Sequence, residues 1–269
     1  MPCPAPPHSV VRLLRHLLPA LALGLAGGAA QAATADIPGA SIAPSPNIGP
    51  TPFKLTIGSY SVAGGGLPAG PGLDVNLRYS YGGDHGGHVW VGWFRSPVLG
   101  FSQLRGGWDA TYTLGAVRLL PSLQAASGGF VGGSVALETG STWFGGAGLG
   151  RTNLRNYANL NFDPNDAVTL YGGYRWSDAD SLVLQVVRDN RLNPDQQNAH
   201  LIWRNEMDNG QRLTLDLLTK QGTVDGQYIR RMGLSATWDW PRWFLRAAWD
   251  PKVNFTPQNM LRLSAGARF

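Results

Sequence analysis

Apolar and polar side chains alternate with a period of two along most of the chain after residue 53. The clearest runs are 73–81, 213–217 and 228–239, where leucine, valine, tyrosine and tryptophan alternate with charged or hydroxyl side chains. A period of two places successive side chains on opposite faces of a β-strand. Each run therefore predicts a strand with one apolar and one polar face. Turn sequences such as 207–210 and 240–241 separate the runs.

Counting these runs predicts about 14 strands. The count takes 108–123 as one strand whose phase slips near Gly115, and it takes 158–162 as a further strand. A bulge in one strand would explain the slip, and so would two short strands.

The connections between the runs test this count, because an up-and-down arrangement of strands places alternate connections at opposite ends, and in many barrels one end has short turns and the other has longer loops. Counting from both ends of the chain, long connections at 63–71, 97–106, 190–197 and 250–258 fall on one side. The tight turn at 163–166 breaks this alternation, so 12 strands stay open as an alternative.

The last nine residues alternate as far as the final aromatic residue. One face of this strand is apolar, and consists of Leu261, Leu263, Ala265, Ala267 and Phe269. The ending resembles the carboxy-terminal insertion signal of Gram-negative outer-membrane β-barrels. The resemblance implies an all-β fold, a transmembrane antiparallel up-and-down barrel. It also implies contact with outer-membrane lipid and lipopolysaccharide, and insertion by the barrel assembly machinery with periplasmic chaperones.

The amino terminus predicts secretion. Arg12 and Arg15 precede an apolar run at 17–30, and Ala30 and Ala32 occupy the two positions that a signal peptidase reads. We therefore divide the chain into a signal peptide at 1–32, a Pro-rich irregular periplasmic segment at 33–52 and an outer-membrane barrel at 53–269. The expected location is the cell outer membrane. Cys3 leaves with the signal peptide, which excludes a disulfide or thiolate site.

Composition agrees with a barrel in lipid. Charged residues are only 14% of the chain, whereas soluble domains carry about 25%. A secreted β-sandwich also alternates, but it tolerates more charge on its outer faces. Removing Arg12 and Arg15 reduces the formal charge from +5 to +3, with the basic residues dispersed, so no nucleic-acid partner is expected.

The polar face of the predicted strands carries charges of both signs, with arginine in excess. We expect these side chains to face the lumen and to line a pore: Arg78, Arg175, Arg204, Asp216, Arg231, Arg246, Asp250, Arg262 and Arg268. This pattern favours a small passive or gated pore for polar or anionic solutes. The alternative is a filled barrel that acts as a structural or assembly partner of an envelope or polysaccharide-export system.

Enzymatic function has little support in the sequence. The mature chain has three histidines, His85, His88 and His200. His85 and His88 lie in one predicted turn with no third metal ligand nearby, and His200 is expected on the wall beside Arg204. We expect no metal and no cofactor, and a lipid A-modifying hydrolase is the remaining enzymatic alternative.

Overall fold

A computed structural model of the chain describes residues 51–82, 86–160, 163–207 and 209–269. Ala30, Ala32 and nearly all of the segment at 33–52 lie outside the described residues. The strands are β1 (Phe53–Gly64), β2 (Leu67–Tyr81), β3 (Gly87–Ser96), β4 (Phe101–Ala110), β5 (Tyr112–Leu114), β6 (Val117–Ala126), β7 (Phe130–Gly140), β8 (Trp143–Thr152), β9 (Ala167–Arg175), β10 (Ser181–Asp189), β11 (Gln197–Glu206), β12 (Arg212–Val224), β13 (Gln227–Asp239), β14 (Trp243–Asp250) and β15 (Asn259–Arg268).

All the strand pairings are antiparallel. Each strand pairs with its neighbours in sequence, except that β4 and β5 do not pair with each other, and the sheet closes on itself. β15 pairs with β1 from Lys54 opposite Arg268 to Ala63 opposite Asn259. Both β4 and β5 pair with β6, so together they form one interrupted strand of the wall. The predicted closed barrel of 14 strands is thus confirmed.

Two features of the predicted strand pattern were wrong, and their effects on the count cancel. Gly115 has a positive φ of 63° and lies in a turn that joins β5 to β6, so 108–123 is a hairpin rather than one strand. The described part of 158–162 is not a strand, because the chain leaves the wall between β8 and β9. Residues 153–166 are one long connection, and the tight turn that favoured 12 strands does not exist as a separate connection.

The connections alternate regularly between the two ends of the barrel. We call the end that carries Phe53 and Phe269 the proximal end and the opposite end the distal end. The longest connections of the described chain, 153–166 and 251–258, are both distal. Two other distal connections are shorter than predicted, at 65–66 and 97–100, because β1, β2 and β4 extend into them. The described residues contain a 3-10 turn at Val253–Phe255 but no helix long and apolar enough to span a membrane.

The two faces of the wall differ sharply. Apolar side chains point outward and are exposed, as at Ile57, Leu184 and Leu263. Most inward positions are polar or small, as at Thr56, Asp74 and Ser264, and these three are buried. An apolar outer band around a polar interior is the arrangement of a transmembrane barrel.

Aromatic rings gather near the proximal end of the outer face. Trp240 stacks on Trp243 at 3.7 Å between ring centroids, and Phe53 contacts both Tyr79 and Phe269, at 5.1 and 5.7 Å. Tyr and Trp rings have an apolar body and a polar edge, and they concentrate where lipid meets water. This cluster therefore marks one boundary of the apolar band.

The outer band makes a prediction that separates a lipid-facing wall from a soluble one. Leu184, in the middle of β10, is 57% exposed, and Leu192, in the distal connection 190–196, is 62% exposed. In lipid vesicles we expect Leu184→Arg to destabilise the protein by about 2–4 kcal/mol, because the charge enters hydrocarbon. Leu192→Arg is the matched control and should be nearly neutral. Urea unfolding followed by tryptophan fluorescence measures both, and equal effects would contradict a lipid-facing wall.

Candidate functional site: the lumen and the loop that crosses it

The segment 153–166, which we call the lumen loop, follows β8, and its described residues, 153–160 and 163–166, turn inward into the distal half of the lumen. Its first anchor is β4. Gln103 donates from Nε2 to the carbonyl of Asn156 at 2.8 Å and accepts from the Ala158 amide at 2.8 Å. Arg105 donates to the carbonyl of Ala158 at 2.9 Å. Two buried side chains thus satisfy backbone groups that water would otherwise solvate.

The next part of the loop covers an apolar patch on the inner wall. Ala158 and Leu160 pack in one buried cluster whose other members are Tyr60, Val62, Phe94, Ala248, Val253 and Met260. Before this contact, the ring of Tyr157 stacks on Phe130 with 4.1 Å between centroids. Burial raises the pKa of the Tyr157 hydroxyl, which donates to Gln124 Oε1 at 2.8 Å. Apolar side chains inside a polar lumen gain stability only when they are covered, and the loop covers them.

The far side of the loop is held by an ionic chain. Asp163 Oδ1 accepts from Asn198 Nδ2 at 2.7 Å and lies 3.1 Å from His200 Nε2. On its other side, His200 Nδ1 lies 3.1 Å from both carboxylate oxygens of Asp216. Both ring nitrogens face carboxylates, which only accept hydrogen bonds, so the protonated imidazolium satisfies both contacts. Although burial acts to raise the pKa of Asp163, the charge and hydrogen bonds of His200 lower it below its ordinary value.

The loop returns to the wall at Asp166. Its carboxylate accepts from the amide and hydroxyl of Thr152, at 3.1 and 2.5 Å, and from Arg191 at 2.8 Å. Burial opposes ionisation here, but these donors keep the pKa of Asp166 below its ordinary value. Both ends of the lumen loop are therefore tied to the wall beside β8.

All the charged residues predicted to face the lumen lie at inward positions of their strands. Arg262 is buried, with its guanidinium 4.0 Å from Asp74 and 4.9 Å from the Tyr60 ring. Asp250 accepts twice from Lys220, at 2.6 and 2.8 Å. Four of the other predicted residues contact side chains around the wall: Asp216 contacts His200, Arg175 contacts Glu138, Arg268 contacts Asp239, and Arg246 donates to Thr237. The remaining three are placed by strand register: Arg78 opposite Lys54, Arg204 opposite Ser181, and Arg231, which is exposed, opposite Lys220. Their role in lining a pore stays a prediction.

Several residues that shape the lumen were missed at the sequence level. Gln103 and Arg105 have the same parity as Asp109, so the alternation could have found them if extended through the glycines of β4. Asp163 was read as part of a turn. Its partners Asn198 and His200 lie more than 30 positions away, and no local pattern encodes such a contact.

Basic residues collect on the inner wall near the proximal end. Arg78, Lys54 and Arg268 are direct cross-strand neighbours on β2, β1 and β15. Around the buried ring of Phe244, Lys54 lies at 4.7 Å, Arg268 at 5.4 Å and Arg246 at 5.7 Å from the centroid. We call these four basic residues the cationic row. Like charges on directly paired positions repel, and the carboxylate of Asp239, bound to Arg268, offsets only part of this charge.

Both described histidines, His88 and His200, contact carboxylates of the wall. His88 Nδ1 lies 2.7 Å from Asp109 Oδ1, across β3 and β4. His85 lies outside the described residues. Among the residues that the structure describes, no group of three or more histidine, cysteine, aspartate or glutamate side chains is placed to hold a metal ion.

Comparison with known proteins identifies the fold. No family model matches the sequence, and no curated protein matches it. Among solved structures, outer membrane protein Omp33 of Acinetobacter baumannii matches with a TM-score of 0.54 and 11% identity, covering 81% of this chain and 98% of that chain. A triple mutant of Rhodopseudomonas blastica porin matches at 0.42 and 10% identity, covering 81% of this chain and 100% of that chain. At such identity the Omp33 match shows the fold alone, and it confirms the general class of outer-membrane-type barrel.

The ionic chain at Asp163 predicts how the lumen loop responds to substitution and to pH. Asp163→Asn removes the charge that faces His200, a charge-assisted contact worth about 1.5–3 kcal/mol. We expect exchange of the amides at 156–160 to accelerate by roughly tenfold or more, measured by hydrogen exchange with mass spectrometry. Asp195→Asn is the control, because Asp195 accepts from the Thr223 amide at the distal rim and does not touch the loop.

The lowered pKa of Asp163 gives the direction of the pH effect. A carboxyl whose pKa is lower in the docked loop stabilises docking above its ordinary value of 3.8, and this contribution is lost as the pH falls through the docked value. The lowered pKa of Asp166 has the same effect on docking. The charged side chains that face Asp163, namely His200, Asp216 and Lys220, are on wall strands and do not move with the loop. Amide protection at 156–160 should therefore fall as the pH drops below 3.8, and less steeply in Asp163→Asn. Protection that is independent of pH in both proteins would contradict this account.

Proposed function

We propose that the protein is an outer-membrane pore that passes small polar solutes, anions in preference, through a lumen narrowed by the lumen loop. The observation that carries this proposal is a closed barrel with an apolar outer band and a charged inner wall. Such a wall is costly unless water reaches it, because unhydrated charges are destabilising even when paired. The proximal end then faces the periplasm, and the distal connections face the cell exterior.

Selectivity for anions is supported by the cationic row. Lys54, Arg78, Arg246 and Arg268 lie on adjacent strands near one mouth, where a solute in the lumen would meet their combined field. Fixed charges of one sign at a narrow passage concentrate counter-ions and exclude co-ions. The row attracts small anions without binding them to a single geometry.

The lumen loop limits the size of the solute. It contacts β4, the apolar patch on β1 and β15, and His200 on β11, so it spans much of the lumen in the distal half. A solute passes beside the loop or displaces it. This arrangement supports passage of small molecules and excludes large ones.

A non-enzymatic role is also part of the proposal. Of the histidines that the structure describes, His88 contacts a carboxylate of the wall, and His200 holds the loop rather than activating a hydroxyl. The apolar face of β15, from Leu261 to Phe269, is what we propose that the barrel assembly machinery and periplasmic chaperones recognise. Outer-membrane lipid and lipopolysaccharide then contact the exposed outer band.

The packing of the lumen loop also favours a second candidate function. If the loop never yields, the barrel is filled and acts as a structural or assembly partner of an envelope system. Conductance separates the two functions, because a filled barrel passes no ions.

Planar-bilayer recording tests the pore directly. Wild-type protein should give discrete conductance steps and, in a KCl gradient, a reversal potential on the anion-selective side. Lys54→Gln and Arg246→Gln should each move that potential toward zero. One charge at about 8 Å in water contributes about 0.5 kcal/mol, so the permeability ratio should fall roughly twofold.

The control is Arg188→Gln, because Arg188 is an exposed, outward-facing residue that donates to Pro194 at the distal rim. It removes the same charge away from the cationic row and should leave selectivity unchanged. A silent bilayer, together with envelope proteins that copurify, would reject the pore in favour of the structural role. Lipid A that is chemically altered on overproduction would reject the non-enzymatic assignment.

A further inference from the structure

A cavity of about 50 Å3 lies between the lumen loop and the wall formed by β7 to β10. The loop side is formed by Asp163, Pro164 and Asn165. The wall side combines glycines and apolar side chains with a smaller number of polar ones, among them Gln124, Ser134 and Gln185. The cavity is on the side of the lumen opposite the cationic row, which lies on β1, β2, β14 and β15. It is therefore a separate environment from the anion-attracting mouth.

Inward-facing glycines make room for this cavity. Gly132, Gly148 and Gly150 all line it. A Cβ atom at Gly150 would lie 2.4 Å from the carbonyl oxygen of Asn165, so any side chain there would push the loop away. At Gly148 a Cβ would lie 3.1 Å from the Ala136 Cβ and would begin to fill the cavity. The glycines keep a gap open beside a loop that otherwise packs closely.

A fully buried amide in the cavity wall lacks protein partners. The side chain of Gln185 on β10 is 0% exposed and lines the cavity. Neither Nε2 nor Oε1 has a hydrogen-bond partner among the described residues. A buried polar group left unsatisfied costs about 1–3 kcal/mol, so a leucine of similar size would be more stable here. A molecule that enters the cavity could form these missing hydrogen bonds with the Gln185 amide.

The loop supplies a second polar atom without a partner. Asn198 and His200 hold Oδ1 of Asp163, whereas Oδ2 is buried and has no partner among the described residues. Beside the Tyr171 hydroxyl in its lining, the cavity therefore offers one donor group, the Gln185 amide NH2, and two acceptors, Gln185 Oε1 and Asp163 Oδ2. Hydroxyl groups both donate and accept, so they match this set. An anion would meet the carboxylate and be repelled.

We infer that the cavity is a subsite for small uncharged polyols, of which glycerol is the simplest probe. The volume fits this class, since about 10–15 Å3 is needed for each water and the cavity could hold roughly three to five. The inference rests on the proposed function, because the polyol reaches the cavity through the lumen. It extends that function by adding a neutral route beside the loop, distinct from the path that the cationic row provides for anions.

Swelling of proteoliposomes in isotonic glycerol tests the subsite, alongside KCl conductance of the same preparations. Gln185→Leu keeps the size of the side chain but removes both polar atoms. We expect the glycerol-swelling rate to fall roughly threefold to tenfold, as for the loss of one or two hydrogen bonds. KCl conductance should be unchanged, and resistance to unfolding should be equal or higher. A purely structural role for Gln185 would not lower glycerol uptake while sparing stability.

A second pair of variants tests the cavity itself. Gly148→Val fills it from the inner face of β8 and should slow glycerol uptake. Gly145→Val is the matched control, because Gly145 faces outward on the same strand and its Cβ would meet only the Tyr171 carbonyl at an ordinary 3.5 Å. Retarded migration of unheated samples on SDS gels, compared with boiled ones, verifies that each variant folds.

The outcomes distinguish the subsite from the pore. Unchanged glycerol uptake in both Gln185→Leu and Gly148→Val, with normal conductance, overturns the subsite and leaves the pore intact. Equal slowing by Gly148→Val and Gly145→Val also overturns it, because the effect would not come from the cavity. Wild-type liposomes that neither conduct nor swell overturn both proposals.

Discussion

The pairing of β15 with β1 is the contact on which the rest of this structure depends. A β-sheet in hydrocarbon has no water to satisfy the amides and carbonyls of an open edge, so its edge strands must pair with each other. Here the pairing runs from Lys54 to Ala63 and continues in reciprocal backbone bonds of 3.0 Å between Phe53 and Phe269. Closure fixes the parity of every strand, and this parity decides which side chains meet lipid and which meet the lumen.

The interior of the barrel is held by different contacts from those that close the wall. A barrel of 14 strands falls between the small barrels that side chains fill and the larger ones that leave a channel, and here the lumen loop occupies part of the space. It is held by hydrogen bonds from Gln103 and Arg105, by an apolar patch around Tyr60, and by the ionic chain through Asp163 and His200. The three kinds of contact lie on different parts of the wall, so the loop crosses the lumen instead of lying along one side.

The alternation of side chains was enough to predict the fold class and the inward parity of residues such as Arg246 and Arg262, because the sequence of a single strand shows which side chains share a face. The number of strands was correct only because two errors in the pattern cancelled. The alternation did not predict the structure correctly where one local pattern fits two different structures. The phase change at Gly115 fits a bulge as well as a hairpin, and only the pairing of β5 with β6 decides between them. The segment at 158–162 looked like a strand because its apolar residues alternate, and the described ones, Ala158 and Leu160, cover the apolar patch. The candidate site depends on long-range contacts such as Gln103 to Ala158, which no period in the sequence reports.

The apolar patch beneath the lumen loop is built from both ends of the wall. Tyr60 and Val62 come from β1, and Met260 comes from β15. Half of the surface that receives Leu160 therefore does not exist until the seam between these strands has formed. Seating of the loop and completion of the ring are mutually reinforcing steps of assembly, and a barrel that opens at its seam would also release its loop. Lumen and wall should behave as one cooperative unit in unfolding, rather than as a rigid shell with an independent insert.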